Sequence, residues 1–321
     1  PASPLRAQWL LLPMDERQDN HLKAYGVTFR ALEQGVSAEW LLNFRGGSFL
    51  LPDRPEVRRD AALRGVTVEQ LSTAQVAQIR TTIEESSMEI VVLEKAPRIA
   101  VYTPPNTVPW DDAVTIALTY ADIPYDKVWD EEVLQGRLRD YDWIHLHHED
   151  FTGQYSRFYI NYAGAPWLQE EIERNQAMAR QFGYADVPTL KKAVAEELRR
   201  YVADGGFLFA MCTATETLEL ALAAMGVDIA APFSDGTPVD PDATSRMQWS
   251  RSFAFQGGEV QVNPAVNAFS DIDGHQVNTP WRQPLGSFSL FEFSAKFDPV
   301  PAMLVQNHES VIADFYGLTT S

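Results

Sequence analysis

The residue best placed for chemistry is Cys212, the one cysteine of this 321-residue chain. It follows an apolar run, residues 207–211 (FLFAM), and precedes residues 213–225 (TATETLELALAAM), which read directly as a helix. A strand that ends abruptly in a helix sets a side chain over the carboxyl edge of a parallel sheet, where open α/β folds bind ligands. The helix dipole and free N–H groups at that point favour a thiolate. The same N–H groups could hold the oxyanion of an acyl transfer. The plainer alternative is a small buried hydrophobe, a common fate of free cysteine.

Three of the six histidines fall in one short run, His145, His147 and His148, followed by Glu149 and Asp150. On a strand, His145 and His147 share one face while Leu146 and His148 share the other. Two imidazoles at that spacing with acids nearby could ligate zinc or another divalent ion. At the strand's end, His148 and Glu149 would lie beside Cys212, where one could act as base or orienter. Polar residues that simply hydrogen-bond at a strand end are the alternative. His308, paired with Glu309 after the apolar residues 302–305, is another candidate base. It also fits the first turn of a helix capped by Asn307. Residues 151–164 (FTGQYSRFYINYAG) read as a lid or insertion loop. Gly153 and Tyr155 of that loop, with Thr213 beside the thiol, are the candidate substrate contacts.

The elements that must position these groups alternate short apolar runs with amphipathic segments, the pattern of an α/β protein with a largely parallel sheet. Residues 8–13, 38–44, 98–103, 127–129, 143–148 and 207–211 read as strands. Residues 20–34, 111–121, 131–138, 167–182, 189–203 and 213–225 read as helices, and the whole span 55–87 as helical. The run Arg45-Gly46-Gly47-Ser48 reads as a turn whose N–H groups could also face an anion. Beyond Gly226 the chain is rich in Pro, Asp and Asn, which predicts an irregular region.

Composition narrows the function classes. With 26 Lys+Arg against 44 Asp+Glu the formal charge is −18, which repels phosphate backbones and anionic lipid. No apolar run approaches the roughly 18 residues needed to span a bilayer. A single cysteine excludes an internal disulfide framework and a Cys-rich zinc module. The opening Pro1-Ala2-Ser3-Pro4 fits loss of an initiator Met or trimming of a longer precursor. Leu5-Arg6-Ala7 before Gln8 resembles the remnant of a signal-peptidase site, which favours a periplasmic or secreted location over a cytoplasmic one.

The strand–Cys–helix unit, with strands beginning at Arg98, Lys127 and Trp143 before it, resembles the nucleophile elbow of the class I glutamine amidotransferase-like superfamily. The resemblance covers Arg98 to Met225. That family usually has Gly two positions either side of the cysteine, where this chain has Ala210 and Ala214. NHLKAYG (20–26), WLLNFRGGSF (40–49), HLHHEDFTGQY (145–155), MCTATETLELALAA (211–224), FSAKFDPVPAML (293–304) and QNHESVI (306–312) resemble a bacterial family whose members often carry the label "asparagine synthetase B". Glutamine-dependent asparagine synthetases use an N-terminal cysteine and an ATP-pyrophosphatase domain, whereas this chain opens with Pro1 and shows no phosphate-binding Gly-rich loop. The resemblance also implies a further segment, with Gly-Gly-His and a nearby Glu, beyond Ser321; the chain is then truncated or its site incomplete.

Together these readings predict an α/β chain built on a flavodoxin-like parallel sheet. Residues 1–97 would add a β-α-β and helical segment to that sheet, 98–230 would form the core with its Cys elbow, and 231–321 the irregular region. The activity implied is that of a thiol-dependent hydrolase or amidotransferase-like enzyme acting on an amide or ester. Its partner would be a small-molecule or peptide substrate, with no nucleic acid and no membrane span. No cofactor is required, a divalent metal at His145 and His147 being the open alternative. The competing function is a non-catalytic binding or assembly subunit of the same superfamily, with a protein partner or a second copy of itself.

Overall fold

The computed structural model describes residues 8–262, apart from 87, 109–111 and 256. The described residues fall into two compact units, one of residues 8–98 with 108–125 and one of residues 99–107 with 126–262. His308 and Glu309 lie outside the described residues.

In the first unit the elements run β1 (Trp9–Leu12), α1 (His21–Glu33), β2 (Ala38–Leu42), β3 (Ser48–Pro52), α2 (Pro55–Leu63), β4 (Glu69–Leu71), α3 (Thr73–Glu84) and β5 (Glu89–Leu93). The strands form a sheet of their own, β4-β1-β3-β2-β5, in which every pairing is antiparallel. This corrects the expectation of a β-α-β segment added to one common sheet. The reason lies in the link from β2 to β3, where Asn43, Arg45, Gly46 and Gly47 all take positive φ. That turn reverses the chain at once, and strands joined so tightly can pair only antiparallel. Arg45 is held in place by bonds to Asp15 at 2.6 Å and Glu69 at 2.9 Å. It keeps both carboxyls below their ordinary pKa and its own above.

Period-two alternation explains the all-apolar β1. Leu10 and Leu12 face a core with Val27 and Ala31 of α1 and Val57 of α2, while Leu11 faces Val76 and Ile83 of α3. A strand covered on both faces has no polar side to show. The predicted helical span 55–87 is interrupted by β4, and a capping box at Ser72 and Gln75 restarts the helix as α3. Helix α4 (Ala113–Ala121) completes this unit, capped by Asp112.

The second unit is a four-stranded parallel sheet of β6 (Ile99–Tyr102), β7 (Asp126–Val128), β8 (Trp143–Leu146) and β9 (Phe207–Ala210), ordered β7-β6-β8-β9. Its helices are α5 (Asp130–Leu134), α6 (Tyr159–Tyr162), α7 (Pro166–Gln181), α8 (Val187–Ala203), α9 (Thr213–Ala223), α10 (Pro232–Asp235) and α11 (Ala243–Arg246). One sheet face, Ala100, Tyr102, Ile144 and Leu146, packs on Val194 and Leu198 of α8 and Leu218 and Leu222 of α9. The opposite face carries Trp143, His145, Phe207 and Phe209, and on β9 both phenylalanines are exposed. The expected α/β class with a parallel sheet is therefore present, beside an antiparallel sheet that the pattern did not predict. Among the described residues no helix is long and apolar enough to cross a membrane.

Candidate functional site

Cys212 caps α9 from a backbone of φ 52° and ψ −143°, with no side-chain cap bond. Left-handed φ with that ψ is a combination almost reserved for glycine and costs a non-glycine residue about 1–3 kcal/mol. Four contacts from the end of β8 fix it. Met211 N–H donates to Leu146 O at 3.0 Å and Ala214 N–H to His147 O at 3.0 Å. The Thr213 hydroxyl donates to His148 O at 3.0 Å, and that of Thr217 to Glu149 O at 3.0 Å. The sharp exit from β9 is thus over-determined by the neighbouring strand, and the thiol is left half-buried at the carboxyl edge of the sheet.

The histidine run divides as its alternation requires. His145 is wholly buried and stacks on Phe209 with ring centroids 5.8 Å apart. His147 follows on the same face, its ring 5.9 Å from that of His145. Leu146 points into the core on the other side. His148, past the strand's end, is exposed and its ring lies 4.9 Å from that of His147. Ring nitrogens of His145 and His147 come within 4.8 Å of each other, so the pair could hold a metal ion.

Glu149 turns back and accepts the His147 amide at 3.2 Å. Burial raises its pKa, against the opposing pull of His148, the amide bonds and Lys191. Asp150 organises the following loop, accepting the Thr152 amide at 2.7 Å and the Ser156 amide at 2.7 Å. Gly153, at φ +74°, packs where an added Cβ would lie 2.8 Å from Pro188 backbone atoms. Tyr155 is buried with Leu168 and Val187. The first half of the predicted lid is therefore packed interior, and only the stretch from Phe158 onward is exposed.

Sequence reasoning missed a buried polar group under the same sheet edge. Lys191 Nζ lies 2.9 Å from Asp130 Oδ2 and 3.0 Å from the Tyr102 hydroxyl, which itself donates to Asp130 at 2.5 Å. All three side chains are buried, with the Trp129 ring 4.0 Å from the ammonium. Burial first, and Asp130 second, push the Tyr102 pKa well up. One signal was legible: Lys191 interrupts the apolar stripe Val187, Leu190, Val194, Ala195, Leu198 of α8.

Compared with protein-family models, curated proteins and solved structures, the chain matches none.

Proposed function

We propose that the chain is a thiol-dependent hydrolase or amidotransferase-like enzyme acting on an amide or ester, with Cys212 as nucleophile. The observation that carries this reading is the backbone of Cys212, φ 52° and ψ −143°, at the β9-to-α9 turn. Strained residues persist where the surroundings over-determine them and cluster at active sites. A nucleophile on a sharp strand-to-helix turn is presented clear of the sheet. The order β7-β6-β8-β9 supports the same reading, since it matches the first four strands of the flavodoxin-type order.

In the proposed reaction a histidine, His147 or His148, takes the thiol proton as sulfur attacks the carbonyl carbon. The Thr213 amide, next in the chain after the thiol, donates to the oxyanion. Collapse expels the amine or alcohol, which leaves with the proton from the imidazolium. Water, deprotonated by the same histidine, then cleaves the thioester and restores the thiol. Glu149, accepting the His147 amide, would hold the end of the histidine run in place. A panel of amide and ester probes with intact-mass detection tests this reading. An acyl adduct on Cys212 of the native protein, absent from Cys212→Ala, is expected. Modification of Cys212 only after denaturation overturns it.

One observation favours the non-catalytic alternative. The Ala214 amide, at the start of α9, is spent on His147 O, which removes one oxyanion donor. A native protein inert to every probe would fit that second reading.

A further inference from the structure

Three aromatic side chains, Phe158 just before α6, Tyr162 at its end and Trp167 at the start of α7, form an exposed cluster. Their ring centroids are 6.1 Å (Phe158–Tyr162), 5.8 Å (Phe158–Trp167) and 5.8 Å (Tyr162–Trp167) apart. Phe158 meets both other rings edge to face, at 80°, while Tyr162 and Trp167 are tilted at 52° to each other. Each is near half exposed, at 46%, 50% and 47%. Three large rings left in water are costly unless something covers them. They are also held in place from behind. Asp150 bonds to Thr152 and Ser156, Tyr155 anchors the loop in a buried cluster, and Tyr155 and Ser156 both take positive φ.

We propose that this cluster binds a small, free organic cation of the quaternary-ammonium class. A ring face attracts a cation out to roughly 6 Å from its centroid, and non-parallel aromatic rings are how such cations are usually recognised. Tyr162 and Trp167, tilted at 52° with centroids 5.8 Å apart, can both turn a face to one ammonium group. The methyl groups of such a cation would also cover apolar surface of the rings themselves. Charge complements shape. Exposed Glu170 follows Trp167 at the three-residue spacing that shares a helix face. The formal charge of −18 draws cations to the protein as a whole.

Saturation-transfer NMR on the full chain compares choline with 3,3-dimethyl-1-butanol, its uncharged carbon isostere. Choline is expected to bind about five- to tenfold more tightly, the difference supplied by the charge over the rings. Trp167→Ala and Tyr162→Leu should each weaken choline by about fivefold with the circular dichroism spectrum unchanged. Equal binding of the two probes, or no saturable signal from either, overturns the proposal. So does binding to phosphatidylcholine vesicles without binding of free choline, which would assign the rings to a lipid surface. None of these readouts uses Cys212, so the outcome is independent of the proposed reaction.

Discussion

The Thr213 hydroxyl donates to the main-chain carbonyl of His148 at 3.0 Å, so the residue after the thiol is tied to the histidine run just past the end of β8. This bond and the Ala214–His147 bond beside it make the elbow a joint product of two strands. Neither β9 nor α9 alone would hold Cys212 at its positive φ.

That strain makes an unusual prediction. Cys212→Gly should raise stability by about 1 kcal/mol, because relief of the backbone strain outweighs the extra freedom glycine gains in the unfolded chain. Cys212→Ala keeps the strain and should be near neutral. Urea titration of the three proteins measures both, and a Gly variant less stable than the Ala variant would contradict the geometry.

The buried ion pair predicts a large loss on breaking. Lys191→Met leaves Asp130 buried without its cation and should cost about 3–5 kcal/mol. Adding Asp130→Asn should recover a substantial part of that loss. A double-mutant cycle by chemical denaturation reads the coupling, and additive single effects would show that the pair is not coupled.

Glu149 predicts a pH dependence. Its folded-state pKa is raised above the ordinary 4.5, chiefly by burial, so the folded protein holds this proton more tightly than the unfolded chain does. Stability should therefore fall as pH rises from near 4.5 through the raised value, where the buried carboxyl must ionise. Glu149→Gln removes that decline. At neutral pH the variant should be the more stable protein, and at acid pH, where both side chains are neutral, the gap should close. Thermal melts across the range check the sign.

In the first unit, Gly26 of α1 predicts a steric failure. A Cβ there would lie 1.8 Å from the Ala121 carbonyl oxygen at the end of α4, where only backbone could yield. Gly26→Ala should cost about 1–3 kcal/mol despite its better helix propensity, by overpacking of the helix contact. An unchanged melting temperature would mean that α1 and α4 can separate at little cost.

By itself the sequence determined the local elements that carry the candidate site. The apolar runs at 99–102, 143–146 and 207–210 are strands, and the helix after Cys212 starts where its composition changes. Alternation along β8 was enough to separate His145 and His147 from Leu146. These are short-range properties, set by side-chain period and by propensity. Tertiary structure decided the rest. Which strands share a sheet depends on chain reversals such as the one at 43–47: its Gly-Gly reads as a turn, but that it pairs β2 with β3 antiparallel follows only from the positive φ of four residues in a row of five. Glu69 to Leu71 is a strand only because β1 offers it an edge, and nothing in three residues announces that. The meeting of Lys191, Asp130 and Tyr102 joins residues far apart in the chain, and no spacing rule encodes it. The conformation of Cys212 belongs to the same class, since it is imposed by hydrogen bonds from the neighbouring strand and not by the residue that adopts it.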